Sequence, residues 1–214
     1  MKIKKEVLKL YAITNSKFSF GNESSFSEQI ESALKGGATC LQLREKSLKE
    51  ELFLEKAKKI KSICKKFGVP LIINDNVNIA KEVDADGVHI GQEDIPLSDA
   101  IKILGKNKVI GVSVFNVKEA LLAEKMGATY LGVGSIFKTN SKPDAKMVTL
   151  NTLSEICKTV KIPVVAIGGI NESNIFELKG SGVSGVAIIS AIFSVKDIEK
   201  TTKEFKKFAD NILQ

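Results

Sequence analysis

The chain predicts a single closed (β/α)8 (TIM) barrel spanning residues 1–214, and three observations predict it. Eight short, β-branched apolar runs alternate with amphipathic stretches from end to end, the pattern of parallel βα units. The length of 214 residues is close to the minimum for eight such units. Several runs carry one aliphatic face and one polar or very small face. An open doubly wound sheet is the competing architecture, but no G-x-G-x-x-G follows the first strand.

Taken in order, the first strand is "KLYAIT" (9–14), followed by the helical pattern "SEQIESALKGG" (27–37). The second strand, "TCLQLRE" (39–45), leads into "SLKEELFLEKAKKIKSICKKFG" (47–68), whose apolar residues recur at helical spacing. "PLIIND" (70–75), "GVHIG" (87–91) and "VIGVSVF" (109–115) are the next three strands. "VKEALLAEKMGA" (117–128) is a helix between the fifth strand and the sixth, "YLGVGSIF" (130–137). "NTLSEICKTV" (151–160) precedes "VVAIGGI" (164–170), and "GVAIIS" (185–190) is the eighth strand before a closing helix in "SVKDIEKTTKEFKKFAD" (194–210).

Side chains alternate faces along a strand. Leu41 and Leu43 therefore oppose Gln42 and Arg44, and Val88 and Ile90 oppose His89 and Gly91. Val112 and Val114 oppose Gly111 and Ser113, while Leu131 and Val133 oppose Gly132 and Gly134. In the seventh run Val165 and Ile167 oppose Ala166 and Gly168. The aliphatic face suits the outer helices. The polar or small face then points inward and leaves a pocket near the carboxyl ends of the strands, where the loops of such barrels gather.

Composition excludes several classes. No apolar run approaches the length of a membrane span, and the N-terminus lacks a secretory pattern, so a cytoplasmic protein is expected. The formal net charge is +7, but lysines sit among glutamates on helical faces, and there is no tryptophan. Nucleic acid is thus not an expected partner, although the excess charge can draw in anions. Three scattered cysteines, Cys40, Cys64 and Cys157, show no metal-ligand spacing and read as reduced, buried thiols.

Arg44 is the only arginine among 32 basic residues. Its planar fork binds phosphate oxygens in pairs, which a lysine cannot do. Around it the strand ends supply Gln42 and Lys46, then Asn74 and Asp75, then Gln92, Glu93 and Asp94, then Ser113. "KTNSKPDAK" (138–146), Gly168 with Gly169, and Ser190 complete the rim. Each has a plainer reading: Arg44 as a rim salt bridge, Asp75 and Asp94 as helix N-caps, His89 as a satisfied interior histidine. Together they point to more. Two carboxylates on adjacent strands can hold Mg2+ with substrate phosphate oxygens, and Arg44, Lys46 and Lys142 complete a diphosphate site. The glycine turn at 168–169 with Ser190 suits a second phosphate. Two phosphorylated substrates in one pocket indicate a transferase acting on a diphosphate ester.

These motifs resemble the thiamine phosphate synthase family: "QLREK", "INDN", "GVHIGQED", "TNSK", "AIGGI" and "IIS" stand in that family's order from residue 11 to about 193. The resemblance implies an Mg2+-dependent homodimer. It would join hydroxymethylpyrimidine diphosphate to thiazole phosphate and release pyrophosphate through a carbocation-like step. It further implies that Arg44, Lys46, Asn74 and Lys142 bind the diphosphate, with Asp75 and Asp94 on Mg2+ and Ser113 near the departing group. Gln42 and His89 would contact the pyrimidine. Thr139, Ser141, Gly169, Ile189 and Ser190 would line the thiazole phosphate side. Departures occur at Phe115, where relatives commonly carry His, at Lys138 in place of Pro, and at Thr149 in place of Gly. A thiazole tautomerase on the same barrel is the nearest alternative, but it uses the missing His and lacks the paired aspartates. A non-catalytic binder of phosphorylated ligands is the other alternative.

Overall fold

The computed structural model describes residues 3–18, 23–139 and 146–213. Its eight strands are β1 (Leu10–Ile13), β2 (Cys40–Leu43), β3 (Leu71–Asn74), β4 (Gly87–Ile90), β5 (Val109–Val114), β6 (Tyr130–Val133), β7 (Val164–Ile167) and β8 (Gly185–Ile188). They are parallel, pair in chain order, and close through β1 and β8 into a barrel. The helices α1 (Glu23–Lys35), α2 (Glu50–Phe67), α3 (Val77–Glu82), α4 (Leu97–Leu104), α5 (Val117–Met126) and α6 (Leu150–Thr159) connect successive strands. Between β7 and β8 the helical element is a 3-10 turn, Ile175–Leu178. The short α7 (Ser190–Phe193) and the long α8 (Ile198–Ile212) follow β8. No described helix is long and apolar enough to cross a membrane.

Alternation along the strands divides the apolar interior into two layers. Leu41, Leu43, Val88, Ile90, Val112, Val114, Leu131 and Val133 face outward and pack with helix residues such as Phe53, Ile60 and Leu153. The inner layer is smaller and includes Tyr11, Ile13, Cys40, Ile72, Tyr130, Val165 and Ala187. In β7 the expected faces are inverted, for Val165 belongs to the inner layer and Ala166 to the outer. The cause is register: Val165 stands beside inward-facing Gly132, and neighbours in register share a face. The space left by Gly134 is likewise filled, by Ile167, since a methyl at 134 would lie 2.9 Å from Ile167 Cγ2.

The small inward residues therefore serve their neighbours as well as the cavity. A Cβ on Gly111 would run into the Tyr130 ring, and one on Gly132 would stand 2.9 Å from His89 Cε1. These glycines seat two polar rings inside the barrel, and the open space lies above them. The three cysteines are free; Cys40 and Cys64 are buried, whereas Cys157 is only half-buried.

Candidate active site

The open end of the barrel holds one cavity of about 180 Å3. Its walls carry Gln42, Arg44 and Lys46 from β2 and its loop, Asn74 and Asp75 from β3, and His89 and Asp94 from β4. Ser113 from β5, Thr139 from the β6 loop, Gly169 from the β7 turn, and Ile189 and Ser190 after β8 complete the set. Ser141 and Lys142 lie outside the described residues.

The β2 loop leaves Arg44 half-buried, with its backbone N–H donating to Thr14 Oγ1 at 3.0 Å. Among the described residues the ion pairs beside it are Lys46–Asp75 and Lys56–Glu45, and Arg44 joins neither. The rim salt-bridge reading of Arg44 thus finds no described partner. Glu45 takes that structural part instead: its carboxylate, 1% exposed, accepts from Lys56 Nζ at 2.7 Å and ties the loop to α2. Lys56 also lies 4.3 Å from the centre of the Phe26 ring.

Asp75 and Asp94 are not helix caps. Asn76 caps α3 by accepting from Ile79 N–H, and Pro96 precedes α4 with no side-chain cap. Asp75 sits at φ 63°, a left-handed conformation uncommon outside glycine and tolerated best by Asn and Asp. That turn puts its carboxylate 2.5 Å from Lys46 Nζ and against Asp94. Asp94 Oδ2 in turn accepts from Gly91 N–H at 2.6 Å. Burial raises the Asp75 carboxyl above its ordinary value and Asp94 adds to the rise, with Lys46 opposing both. Asp94 moves the other way: burial would raise it, but hydrogen bonds from Asp75 and from Gly91 N–H hold it low. Facing carboxylates whose protonation splits in this way compete for one proton. They are hard oxygen donors that suit Mg2+. Among the described residues no cluster of three or more acid, His or Cys donors exists. This arrangement fits a cation that takes its remaining ligands from water and substrate.

On the far wall, Gly168 and Gly169 have φ of 99° and 65°. Phe137 N–H donates to Gly168 O at 3.0 Å, so the β6 loop lies directly on the glycine turn. A methyl at 169 would stand 2.7 Å from Phe137 O and closer still to Lys138 O. Thr149, where the resemblance expects Gly, caps α6 by accepting from Thr152 N–H at 3.1 Å. Phe115 lines the cavity, with the Lys146 ammonium 5.9 Å from its ring centre.

Along the cavity floor runs a feature absent from the sequence expectations, a continuous polar chain. Gln42 Nε2 donates to Tyr11 Oη at 2.9 Å, and Tyr11 Oη lies 2.9 Å from Tyr130 Oη. Tyr130 Oη lies 2.9 Å from His89 Nδ1, and His89 Nε2 lies 2.9 Å from Ser113 Oγ. Tyr11 and Tyr130 are the chain's only tyrosines, and that composition was the available signal. Burial pushes both phenols well above their usual range, so both stay protonated. Burial also pushes the His89 imidazole down to about 4, despite Asp94 nearby, so it is neutral at pH 7. Gln92, from the same motif as Asp94, donates from Nε2 to Ser113 O at 2.6 Å and pins the end of β5.

Comparison with known proteins agrees with this architecture. The sequence profile of thiamine monophosphate synthase matches residues 10–192. The thiamine-phosphate synthase of Clostridium acetobutylicum is 50% identical over 191 residues, covering 89% of this chain and 90% of its own. That of Clostridium tetani is 46% identical over 199 residues, covering 93% and 94%. The solved thiamine phosphate pyrophosphorylase from Pyrococcus furiosus superposes with a TM-score of 0.90 at 41% identity, covering 98% of this chain and 99% of its own. A match over nearly the whole barrel, carried by relatives of this identity, places the chain in the thiamine monophosphate synthase family.

Proposed function

We propose that this protein transfers the hydroxymethylpyrimidine group from its diphosphate to thiazole phosphate, yielding thiamine phosphate and pyrophosphate. The observation that carries the reading is the convergence of Arg44, the Lys46–Asp75–Asp94 cluster and the Gly168–Gly169 turn on one cavity, in a chain of this family. Two anion sites separated by a partly apolar floor match two phosphorylated heterocycles.

In this reading Arg44, Lys46, Asn74 and Lys142 hold the diphosphate, and Ser113 stands beside the departing oxygen. Asp75 and Asp94 would hold Mg2+, whose charge, when bound, offsets that developing on the leaving diphosphate. Gln42 and His89 orient the pyrimidine. Thr139, Ser141, Gly169, Ile189 and Ser190 fix the thiazole phosphate so that its ring nitrogen faces the methylene carbon. The C–O bond breaks, its electron pair leaves with diphosphate, and the thiazole nitrogen lone pair forms the new C–N bond. The attacking nitrogen carries no proton, so no general base is required. Neutral His89 is compatible with that. Catalysis is then electrostatic stabilisation of the leaving group together with positioning. The reading carries with it a homodimer, as the family resemblance implies, and the cytoplasmic setting expected from the sequence. A tautomerase would need an acid/base at 115, and Phe115 has no titratable proton.

Asp75→Ala and Asp94→Ala test the metal assignment. Each should lose Mg2+-dependent turnover by at least a hundredfold while circular dichroism reports an intact barrel. Near wild-type turnover in both would overturn it.

A further inference from the structure

The polar chain along the cavity floor can take one polarity from end to end. Gln42 Nε2 is an amide nitrogen, so at its 2.9 Å contact with Tyr11 Oη it can only donate. Each phenol has a single proton to give. Tyr11 Oη, accepting from Gln42, keeps its own proton available to Tyr130 Oη, 2.9 Å away, and the proposal below takes that polarity. In that polarity Tyr130 accepts from Tyr11, and its own proton goes to His89 Nδ1 at 2.9 Å. A neutral imidazole that accepts at Nδ1 carries its proton on Nε2. That proton meets Ser113 Oγ at 2.9 Å. Ser113 Oγ, accepting from His89, keeps its own proton for a partner in the cavity it lines.

We propose that Tyr130, its direction set by Tyr11 and Gln42, is a positioning residue: it fixes His89 as the Nε2–H tautomer, so that the Ser113 hydroxyl donates into the cavity toward the departing diphosphate. The purpose of that donor rests on the function proposed above; the tautomer does not. The burial of both phenols and the neutrality of the imidazole keep the protons of the chain in place. Gly111 and Gly132 preserve the geometry, since a side chain on either would collide with the Tyr130 or the His89 ring. The opposite polarity would make Ser113 a donor to His89 and leave its oxygen lone pairs facing an anionic leaving group. A donor aimed at that oxygen gains strength as negative charge develops on it, so it acts on kcat rather than on KM.

His89 is the chain's only histidine, so tag-free protein labelled with 15N-histidine gives one unambiguous imidazole. In the substrate-free protein, Nε2 should show a pyrrole-type 15N shift with a directly bound proton, and Nδ1 a pyridine-type shift. A proton on Nδ1 would overturn the proposal. Tyr130→Phe removes the donor and should move both shifts toward the values of a mixed tautomer. In steady-state assays Tyr130→Phe should lower kcat by about three- to thirtyfold with KM within about twofold, and Ser113→Ala by about ten- to a hundredfold. In the Ser113→Ala background, Tyr130→Phe should change kcat by less than about twofold, because its effect runs through Ser113. Losses that simply multiply would overturn the proposal. An Nε2–H tautomer in a protein that forms no thiamine phosphate would overturn the proposed function and leave the hydrogen-bond chain standing.

Discussion

Gly169→Ala separates the packing of the β6 loop from ordinary backbone strain. Gly169 has φ 65°, and Gly68, at the C-terminal cap of α2, has φ 66°. An alanine at either position carries the same left-handed cost of about 1–2 kcal/mol. The surroundings differ. A methyl at 68 finds nothing within 4 Å, whereas at 169 it lies 2.7 Å from Phe137 O and nearer still to Lys138 O. Both obstacles are backbone, so no rotamer change relieves them and the 137–138 segment must move. Overpacking of this kind costs about a further 1–3 kcal/mol. At about 2–4 °C per kcal/mol for a domain of this size, Gly68→Ala should lower Tm by about 2–8 °C. Gly169→Ala should lower it by about 4–20 °C. The segment leads straight into Thr139, so its displacement should also cost about a hundredfold in kcat/KM. Gly68→Ala should leave kcat/KM unchanged. Thermal melts and steady-state kinetics on the two variants decide the matter: equal Tm losses with full activity in both would refute the packing argument.

Other outcomes follow from the same geometry. Arg44→Lys keeps the charge but exchanges a paired phosphate contact for a single one. It should cost about 1.5–3 kcal/mol of transition-state stabilisation, or ten- to about 150-fold in kcat/KM, and an unchanged value would return Arg44 to a structural part. Because Asp75 is raised above its ordinary value, a proton competes with Mg2+ there. Mg2+ binding should therefore release protons in weakly buffered solution, and the Mg2+ concentration for half-maximal turnover should rise by up to about tenfold per unit as pH falls below the raised value. A pH-independent Mg2+ requirement down to the ordinary aspartate range would contradict the shift.

The barrel was legible because four strands carry an unmistakable two-faced pattern. In β2, β4, β5 and β6 the residues opposite the aliphatic pairs are Gln, His, Ser or Gly, and alternation alone fixes which face is inner. β7 was misread because Val165, Ala166 and Ile167 are apolar on both faces. Only the pairing of Val165 with Gly132 decides the matter, and pairing register is invisible before the sheet closes. The role of the two tyrosines is hidden in the sequence for a related reason. Each begins or follows an aliphatic run and reads as ordinary core until the barrel brings Tyr11 and Tyr130, 119 residues apart, into contact. The rim residues were easier, since parallel topology gathers every strand end at one mouth. Local chemistry resolved the cap alternative: Asn76, one residue beyond Asp75, performs the capping and frees the aspartate. Before β8 the 3-10 turn is followed directly by Gly180 and Gly182, both at positive φ, which end the helical segment there.

The central claim is that this cavity joins two phosphorylated heterocycles. Purified protein should be incubated with hydroxymethylpyrimidine diphosphate, thiazole phosphate and Mg2+, and the products resolved by chromatography with thiochrome fluorescence. The account predicts stoichiometric thiamine phosphate and pyrophosphate, abolished by omitting either substrate or by chelating the metal. Folded protein that yields no thiamine phosphate with both substrates present would contradict it.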